Sequence, residues 1–355
     1  MEHKTILVAA LNWGLGHATR CIPIIDALQA KGVQVVLASD GAALALWRAH
    51  YPQLPWVELA SYNIQYPSGN MIWNIARQIP QILKAIRAEK QQTAAIIQKY
   101  AIDAIISDNR YGLRAATVPS VFVGHQLHLI LPYWVIPPMV NALHQRLIAA
   151  FDACWVPDRA GADNLAGKLA HPPLNNTQYL GTLSRFSAVA PLPPQWDILV
   201  VLSGPEPQRQ YLEAALQEQL STLPYKSLIV RGKPSSQQLK QIGPQLYQQD
   251  FMSQAALQAT FAQSQWLITR SGYSTLLDLA ALQVAPPLLI PTPGQTEQEY
   301  LAERLAQQGR CITQKQDQLD VKTGIAALSK LTPHPLTPPS ISSLEQVLQQ
   351  WLQSF

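Results

Sequence analysis

At Trp266 to Leu282 (WLITRSGYSTLLDLAAL) a short apolar strand runs directly into a polar, glycine-bearing turn and then a helix, and this unit recurs along the chain. Strands apolar on both faces that alternate with helices specify a helix-covered parallel sheet, so the recurrence demands an α/β fold. In the first half TILVAAL precedes a Gly-rich turn and a helix about Arg20 to Ala30, and VQVVLAS ends at Asp40. Helix-like sequence over Ile75 to Tyr100 then precedes three more apolar runs: AIIS (Ala104 to Ser107), SVFVGH (Ser120 to His125) and ACWVP (Ala153 to Pro157). SRFSAVAPLPPQW (Ser184 to Trp196) breaks the pattern with prolines and small residues in the manner of a linker. The cycle restarts with DILVVLSG (Asp197 to Gly204), SLIVRG (Ser227 to Gly232), WLIT and PPLLIP (Pro286 to Pro291). The expected architecture is two Rossmann-like, doubly wound domains facing a cleft, over 1–183 and 197–339. Residues 184–196 are the linker, and 340–355 are a helix crossing back to the first domain. At 355 residues the chain exceeds the roughly 250 to 300 that one core supports.

Composition excludes several classes. An apolar share of 48% with 14% charged residues suits a packed globule, and a net charge of +4 without a dense Lys/Arg block disfavours nucleic acid as a partner. Cys21, Cys154 and Cys311 lack paired spacing, which points to reduced thiols and a cytoplasmic location. The opening apolar run, Ile6 to Leu11, is too short for a signal peptide, and no run reaches the roughly 18 residues of a membrane span. There is no G-x-S-x-G elbow; Gly161 to Lys168 is not a phosphate loop; and no D-x-D pair holds a divalent ion. The expected chemistry is metal-independent and uses no cofactor.

The turn Asn12-Trp13-Gly14-Leu15-Gly16-His17 resembles a dinucleotide fingerprint, with Asp40 at the distance of a ribose-binding carboxylate, but Thr19 stands where a third glycine belongs. A tight strand-to-helix turn explains the glycines equally well. His17 falls at the helix start and the carboxyl edge of the first strand; a helix N-terminus favours neutral imidazole, the form of a general base. Capping is its plainer role. Asp108, Asn109 and Arg110 follow AIIS at the same edge, as a ligand-facing cluster or as a cap and salt bridge. His125 and Gln126 end the next strand, and the His125/His128 spacing invites a metal reading that lacks a third ligand. In the second half Ser203 and Gly204, before a helix starting at Pro205 or Pro207, and Arg270, Ser271 and Gly272, before one starting at Ser274 or Thr275, form two anion-ready turns. Asp278, Gln295, Gln298 and Glu299 add groups suited to a hydroxyl-rich ligand.

RSGYSTLLDLAAL, PPLLIP and PTPGQTEQEYLAER resemble the donor-binding half of GT-B glycosyltransferases of family 28, the group that contains the peptidoglycan N-acetylglucosaminyltransferase and the monogalactosyldiacylglycerol synthases. GLGHATR, DNRYG and GHQLH resemble a less-studied bacterial branch of it. The resemblance implies a nucleotide-sugar donor, UDP-linked, whose ribose meets Asp278. Its sugar would meet Gln298 and Glu299, and its diphosphate Ser203, Gly204 and the turn from Arg270 to Thr275. It implies that His17 is a candidate general base and that His125 and Asp108 lie in the acceptor-side cleft; in the expected mechanism Asp108 aids His17. The departures are Asn12-Trp13 in the Gly-rich opening, Asp278 for the commoner Glu, and Glu299 for an amide, so the sugar does not carry over.

The expected activity is therefore an inverting, metal-independent transfer of a hexose or N-acetylhexosamine to a hydroxyl acceptor. A UDP-sugar 2-epimerase and a non-catalytic nucleotide-sugar-binding protein are the alternatives, and an NAD-dependent enzyme is more distant because it leaves the second half without a role. The apolar stretches Tyr62 to Ile86 (Tyr62, Tyr66, Met71, Ile72, Trp73, Ile79, with Arg77, Lys84 and Arg87 nearby) and Leu129 to Val140 read first as buried packing. Their second reading is a face that docks at the inner side of the plasma membrane to reach a lipid-linked acceptor.

Overall fold

The computed structural model describes residues 4–62, 71–131, 137–190, 192–233, 236–332, 334, 336–337 and 343–355, without the side chains of 71–76 and 137. The chain forms two compact units, Met1–Arg185 with Ser340–Phe355, and Phe186–Pro339.

The first unit contains β1 (Thr5–Ala10), α1 (Gly16–Ala30), β2 (Gln34–Ser39), α2 (Gly41–His50), β3 (Trp56–Glu58), α3 (Met71–Tyr100), β4 (Ala104–Asp108), β5 (Ser120–Val123), α4 (Pro137–Ile148), β6 (Ala153–Val156) and β7 (Thr177–Tyr179). Its sheet runs β3-β2-β1-β4-β5-β6-β7, and every pairing is parallel. Alternate residues of β1 feed different cores. Ile6, Val8 and Ala10 pack with α1 and α2, whereas Leu7 and Ala9 pack with Ile96 and Ile102. A strand buried on both faces must be apolar throughout, which is why TILVAA shows no alternation.

The second unit contains β8 (Trp196–Val201), α5 (Gln208–Ser221), β9 (Ser227–Val230), β10 (Lys240–Gln241), β11 (Leu246–Gln249), α6 (Gln254–Ala262), β12 (Ser264–Thr269), α7 (Tyr273–Leu282), β13 (Leu288–Leu289), α8 (Thr296–Gln307), β14 (Ile312–Thr313) and α9 (Val321–Leu328). Its order is β10-β11-β9-β8-β12-β13-β14, parallel apart from the β10 edge. PPLLIP contributes only Leu288 and Leu289 to the ladder, because Pro286, Pro287 and Pro291 carry no N–H to donate.

The last helix, α10 (Leu344–Leu352), packs on the first unit. Leu344, Leu348 and Trp351, spaced along one helical face, join the core, and Trp351 meets Trp155 edge to face at 5.1 Å. Lys4 fastens the end of the chain by donating to the Leu352 carbonyl at 2.6 Å.

Each sheet reverses its winding direction once. In the first unit this happens between β1 and β4, and in the second between β8 and β12. Loops leaving the carboxyl ends of those strands border the crevice where open α/β sheets bind ligands. They carry Gly14 to His17 and Asp108 to Arg110 in one unit, and Ser203-Gly204 and Arg270 to Gly272 in the other.

Candidate functional site

The first-unit cluster is built on the opening turn of α1. Gly14 has φ +74, a conformation costly for residues with a Cβ, and α1 starts at Gly16, earlier than the periodicity suggests. Leu15 at the cap makes no side-chain hydrogen bond. His17 is 14% exposed and its Nδ1 lies 2.6 Å from Asp108 Oδ1. Asp108, fully buried at the end of β4, is held by Arg20: Nε donates to Oδ2 at 2.5 Å and Nη2 to Oδ1 at 2.6 Å. Burial alone pushes the Asp108 carboxyl up, but Arg20 and His17 outweigh it and bring it down to about 2. A carboxylate only accepts, so Nδ1 is the protonated ring nitrogen and Nε2 keeps its lone pair. His17 titrates below the usual histidine value, first because it is buried and next because Arg20 repels its charged form.

Arg20 belongs to this cluster and was missed by sequence reasoning. It also donates from Nη1 to His125 Nδ1 at 3.0 Å, so one guanidinium ties Asp108 to His125, and its Nη2 lies 3.0 Å from His17 Nδ1 without a bond to that protonated nitrogen. Its signal was the three-residue spacing from His17 on one helix face. Asn109 takes a left-handed conformation, φ 56, and its amide lies 3.5 Å from His17 Nδ1.

Arg110 requires a correction. Its guanidinium is fully buried and binds Asp40, Glu89 at 2.8 Å and the carbonyls of Ala10 and Ala60, so it knots the core and does not line a substrate site. Asp40 is thereby engaged, and Asn12 also donates to it at 3.3 Å, which removes the carboxylate that a dinucleotide reading needs for ribose. Gln126 offers its carbonyl to His144 Nε2 at 2.6 Å. His128 belongs to another network than His125, bonding to Pro172 O and Gln145. Among the described residues no three His, Cys, Asp or Glu side chains converge as metal ligands.

The second-unit cluster gathers at the start of α7, capped by Gly272 without a side-chain hydrogen bond. An added Cβ at Gly272 would lie in ordinary contact, at 3.9 Å, with Gln298 Nε2 and Thr275 Oγ1. Gly204 has φ +100, and its Cβ position lies 3.8 Å from Thr292 Oγ1. That hydroxyl is buried without a partner. Ser203, Ser274, Thr275 and Asp278 are half-buried around this turn and along the first turns of α7.

Three expected ligand groups turn inward. Ser271 Oγ donates to Gln298 O at 2.8 Å, tying α7 to α8. Gln298 is 7% exposed: its Oε1 accepts from Thr292 N at 2.9 Å and its amide donates to Gln295, so the side chain braces the loop. Arg270 is 1% exposed and donates to backbone carbonyls. The expectation of a side-chain hand on the diphosphate from Arg270 or Ser271 is thus corrected, because sheet-edge carbonyls claim those donors first. Glu299 is exposed and accepts from Gly294 N at 3.0 Å.

Two parallel-sheet α/β units with ligand-ready loops at both switch points define the GT-B class. Residues 198–348 match the glycosyltransferase family 28 C-terminal domain. That domain occupies much of the second half of the chain, and the solved structures that share the fold are GT-B glycosyltransferases. Solved structures with the same fold include the glycotransferase of kitacinnamycin, at 15% identity and TM-score 0.64, covering 100% of this chain and 96% of that one. MurG of Acinetobacter baumannii is 15% identical with TM-score 0.56, covering 99% and 100%. The spinosyn rhamnosyltransferase SpnG, complexed with thymidine diphosphate, is 15% identical with TM-score 0.61, covering 92% and 91%. At such identities the likeness is one of fold. No curated protein matches the chain by sequence.

Proposed function

We propose that the protein transfers a hexose or N-acetylhexosamine from a UDP-linked sugar to a hydroxyl acceptor, with inversion and without a metal ion. The observation that carries this reading is the His17–Asp108 pair, which leaves Nε2 unprotonated and the ring fixed in direction. Nε2 takes the acceptor's proton as the acceptor oxygen bonds to the anomeric carbon and the bond from that carbon to the diphosphate breaks. Asp108 stabilises the imidazolium that results. The N-terminus of α7, capped by Gly272 without a side-chain hydrogen bond, suits the charge that builds on the departing diphosphate. A nucleoside diphosphate bound to SpnG, a protein of this fold, supports the donor class. The absence of D-x-D from the sequence supports metal independence.

Thermal shift against UDP-, TDP- and GDP-sugars tests the donor, since a ligand that binds only the folded state raises the melting temperature. No shift with any of them would sink the reading. Turnover should persist in EDTA.

The pH profile has a definite sign. His17 works when neutral and its proton affinity lies below the ordinary 6.5, so kcat/KM should stay level through neutrality and fall only below about pH 6.5. An acidic limb centred above pH 7 would remove His17 as the base.

The acceptor is proposed to be lipid-linked. Ile79 and Leu83 are 50% and 47% exposed one turn apart on α3, with Lys84 and Arg87 exposed beside them, and Met139 and Leu143 are 63% and 60% exposed on α4. Tyr62, by contrast, is buried against Glu89 and belongs to the core. Tyr66, residues 132–136 and the side chains of Met71, Ile72 and Trp73 lie outside the described residues. Flotation with anionic liposomes should carry the wild type and not the Ile79→Asp, Leu83→Asp variant; equal flotation would count against this face.

A further inference from the structure

Arg20, Arg110, Arg209 and Arg270 are buried to 5% exposure or less. Burial strips a guanidinium of hydration, and a counter-charge is the usual compensation. Arg20 has Asp108, Arg110 has Asp40 and Glu89, and Arg209 has Glu206 and Glu213. Among the described residues Arg270 meets only neutral acceptors. Its Nη1 donates to the carbonyls of Ile290 at 3.2 Å and Pro291 at 3.0 Å, and its Nη2 to Gln208 O at 2.9 Å and Gln316 Oε1 at 2.6 Å. Its Nε is buried with no partner. Burial lowers its proton affinity to about 10, which leaves it charged at neutral pH.

These acceptors are placed where the donor turns begin. Gln208 opens α5 just after the Ser203-Gly204 turn, and Pro291 precedes Thr292 and the loop to Gln295. Arg270 itself stands two residues ahead of the α7 cap, Gly272. Thr292, with its unpartnered hydroxyl, follows directly on a carbonyl that the guanidinium holds and faces Gly204.

Resting on the donor reading above, we infer that the diphosphate of the nucleotide donor is the counter-charge that Arg270 lacks. Arg270 is then a positioning residue with two effects. Its fork fixes the turns, and its uncompensated charge raises their affinity for an anion that it does not touch. A mere staple would matter equally to every ligand of the site. A buried charge discriminates between UDP and uridine, which share the base and ribose and differ by the diphosphate.

Gln316→Glu tests this with little change of shape, since it sets a carboxylate where Gln316 Oε1 now lies 2.6 Å from Nη2. Calorimetry of the full chain with UDP and with uridine should show UDP binding weakened about tenfold in Q316E and uridine binding unchanged. The melting temperature should rise at the same time, because the buried charge gains a partner. Arg270→Lys should keep more of the UDP preference over uridine than Arg270→Gln. An unchanged UDP-to-uridine ratio in Q316E, or parallel losses of both ligands, would overturn the inference even where Arg270→Gln fails to fold. A wild type that binds neither UDP nor TDP would instead overturn the donor reading, and this inference with it.

Discussion

His17→Ala is expected to lower kcat by about 10²–10⁴-fold, the range that a positioned general base contributes, while the affinity for the nucleotide donor stays unchanged. The expectation rests on the tautomer. Asp108 accepts from Nδ1–H at 2.6 Å, so Nε2 is the nitrogen able to take a proton, and Arg20 disfavours the protonated ring. Two other imidazoles of this unit are engaged: His125 Nδ1 accepts from Arg20, and His144 lies between Tyr111 and the Gln126 carbonyl. Single-turnover kinetics with saturating donor, set beside calorimetric donor binding, separates a lost base from a lost site. Equal losses in binding and turnover would retire His17 as the base.

Asp108→Asn should be the most damaging substitution to stability, costing about 3–5 kcal/mol at neutral pH, because it leaves the Arg20 guanidinium buried without its carboxylate. The same change removes the anion that offsets the imidazolium, so kcat falls too. The sign with pH follows from the carboxyl's position at about 2 in the folded protein against an ordinary 3.8. A depressed carboxyl contributes stability that is complete above the ordinary value and fades as pH falls through the folded one. Urea midpoints of wild type and D108N should therefore differ most at neutrality and converge between about pH 4 and 2. His17→Gln should leave the midpoint close to wild type. A D108N protein as stable as wild type at pH 7 would mean that Arg20 needs no counter-charge.

Much of this was legible in the sequence, for reasons that particular residues make plain. The central strands declared themselves because β1 over Ile6 to Ala10 and β8 over Ile198 to Val200 are buried on both faces and are apolar there. The edge strands β3, β7 and β10 stayed hidden, because WVE, TQY and KQ are short and exposed enough to carry polar groups. His17 and Asp108 were singled out because each stands at the carboxyl edge of the sheet, and the structure brings them within 2.6 Å of each other. The same rule misplaced Arg110 and Arg270. Position after a strand tells where a side chain starts, and what it reaches is decided by which buried acceptors lack donors. The carbonyls of Ala10 and Ala60 and the carboxylates of Asp40 and Glu89 capture one, and the carbonyls of Ile290, Pro291 and Gln208 capture the other. Arg20 was overlooked for the converse reason. An arginine in the first turns of a helix reads as solvated, and its partner Asp108 is 88 residues away. Gln298 shows a third limit: an amide suited to sugar hydroxyls suits equally well the backbone of its own loop.

The central claim is that the protein moves a sugar from a nucleotide with inversion. Proton NMR of a UDP-α-hexose incubated with the enzyme and an acceptor panel in EDTA tests it most directly. The account predicts free UDP and a sugar newly linked, or released to water, with a β anomeric proton coupling. An α-configured product, a nucleotide sugar epimerised at C2 with no acceptor consumed, or a spectrum unchanged across UDP-, TDP- and GDP-sugars would contradict it.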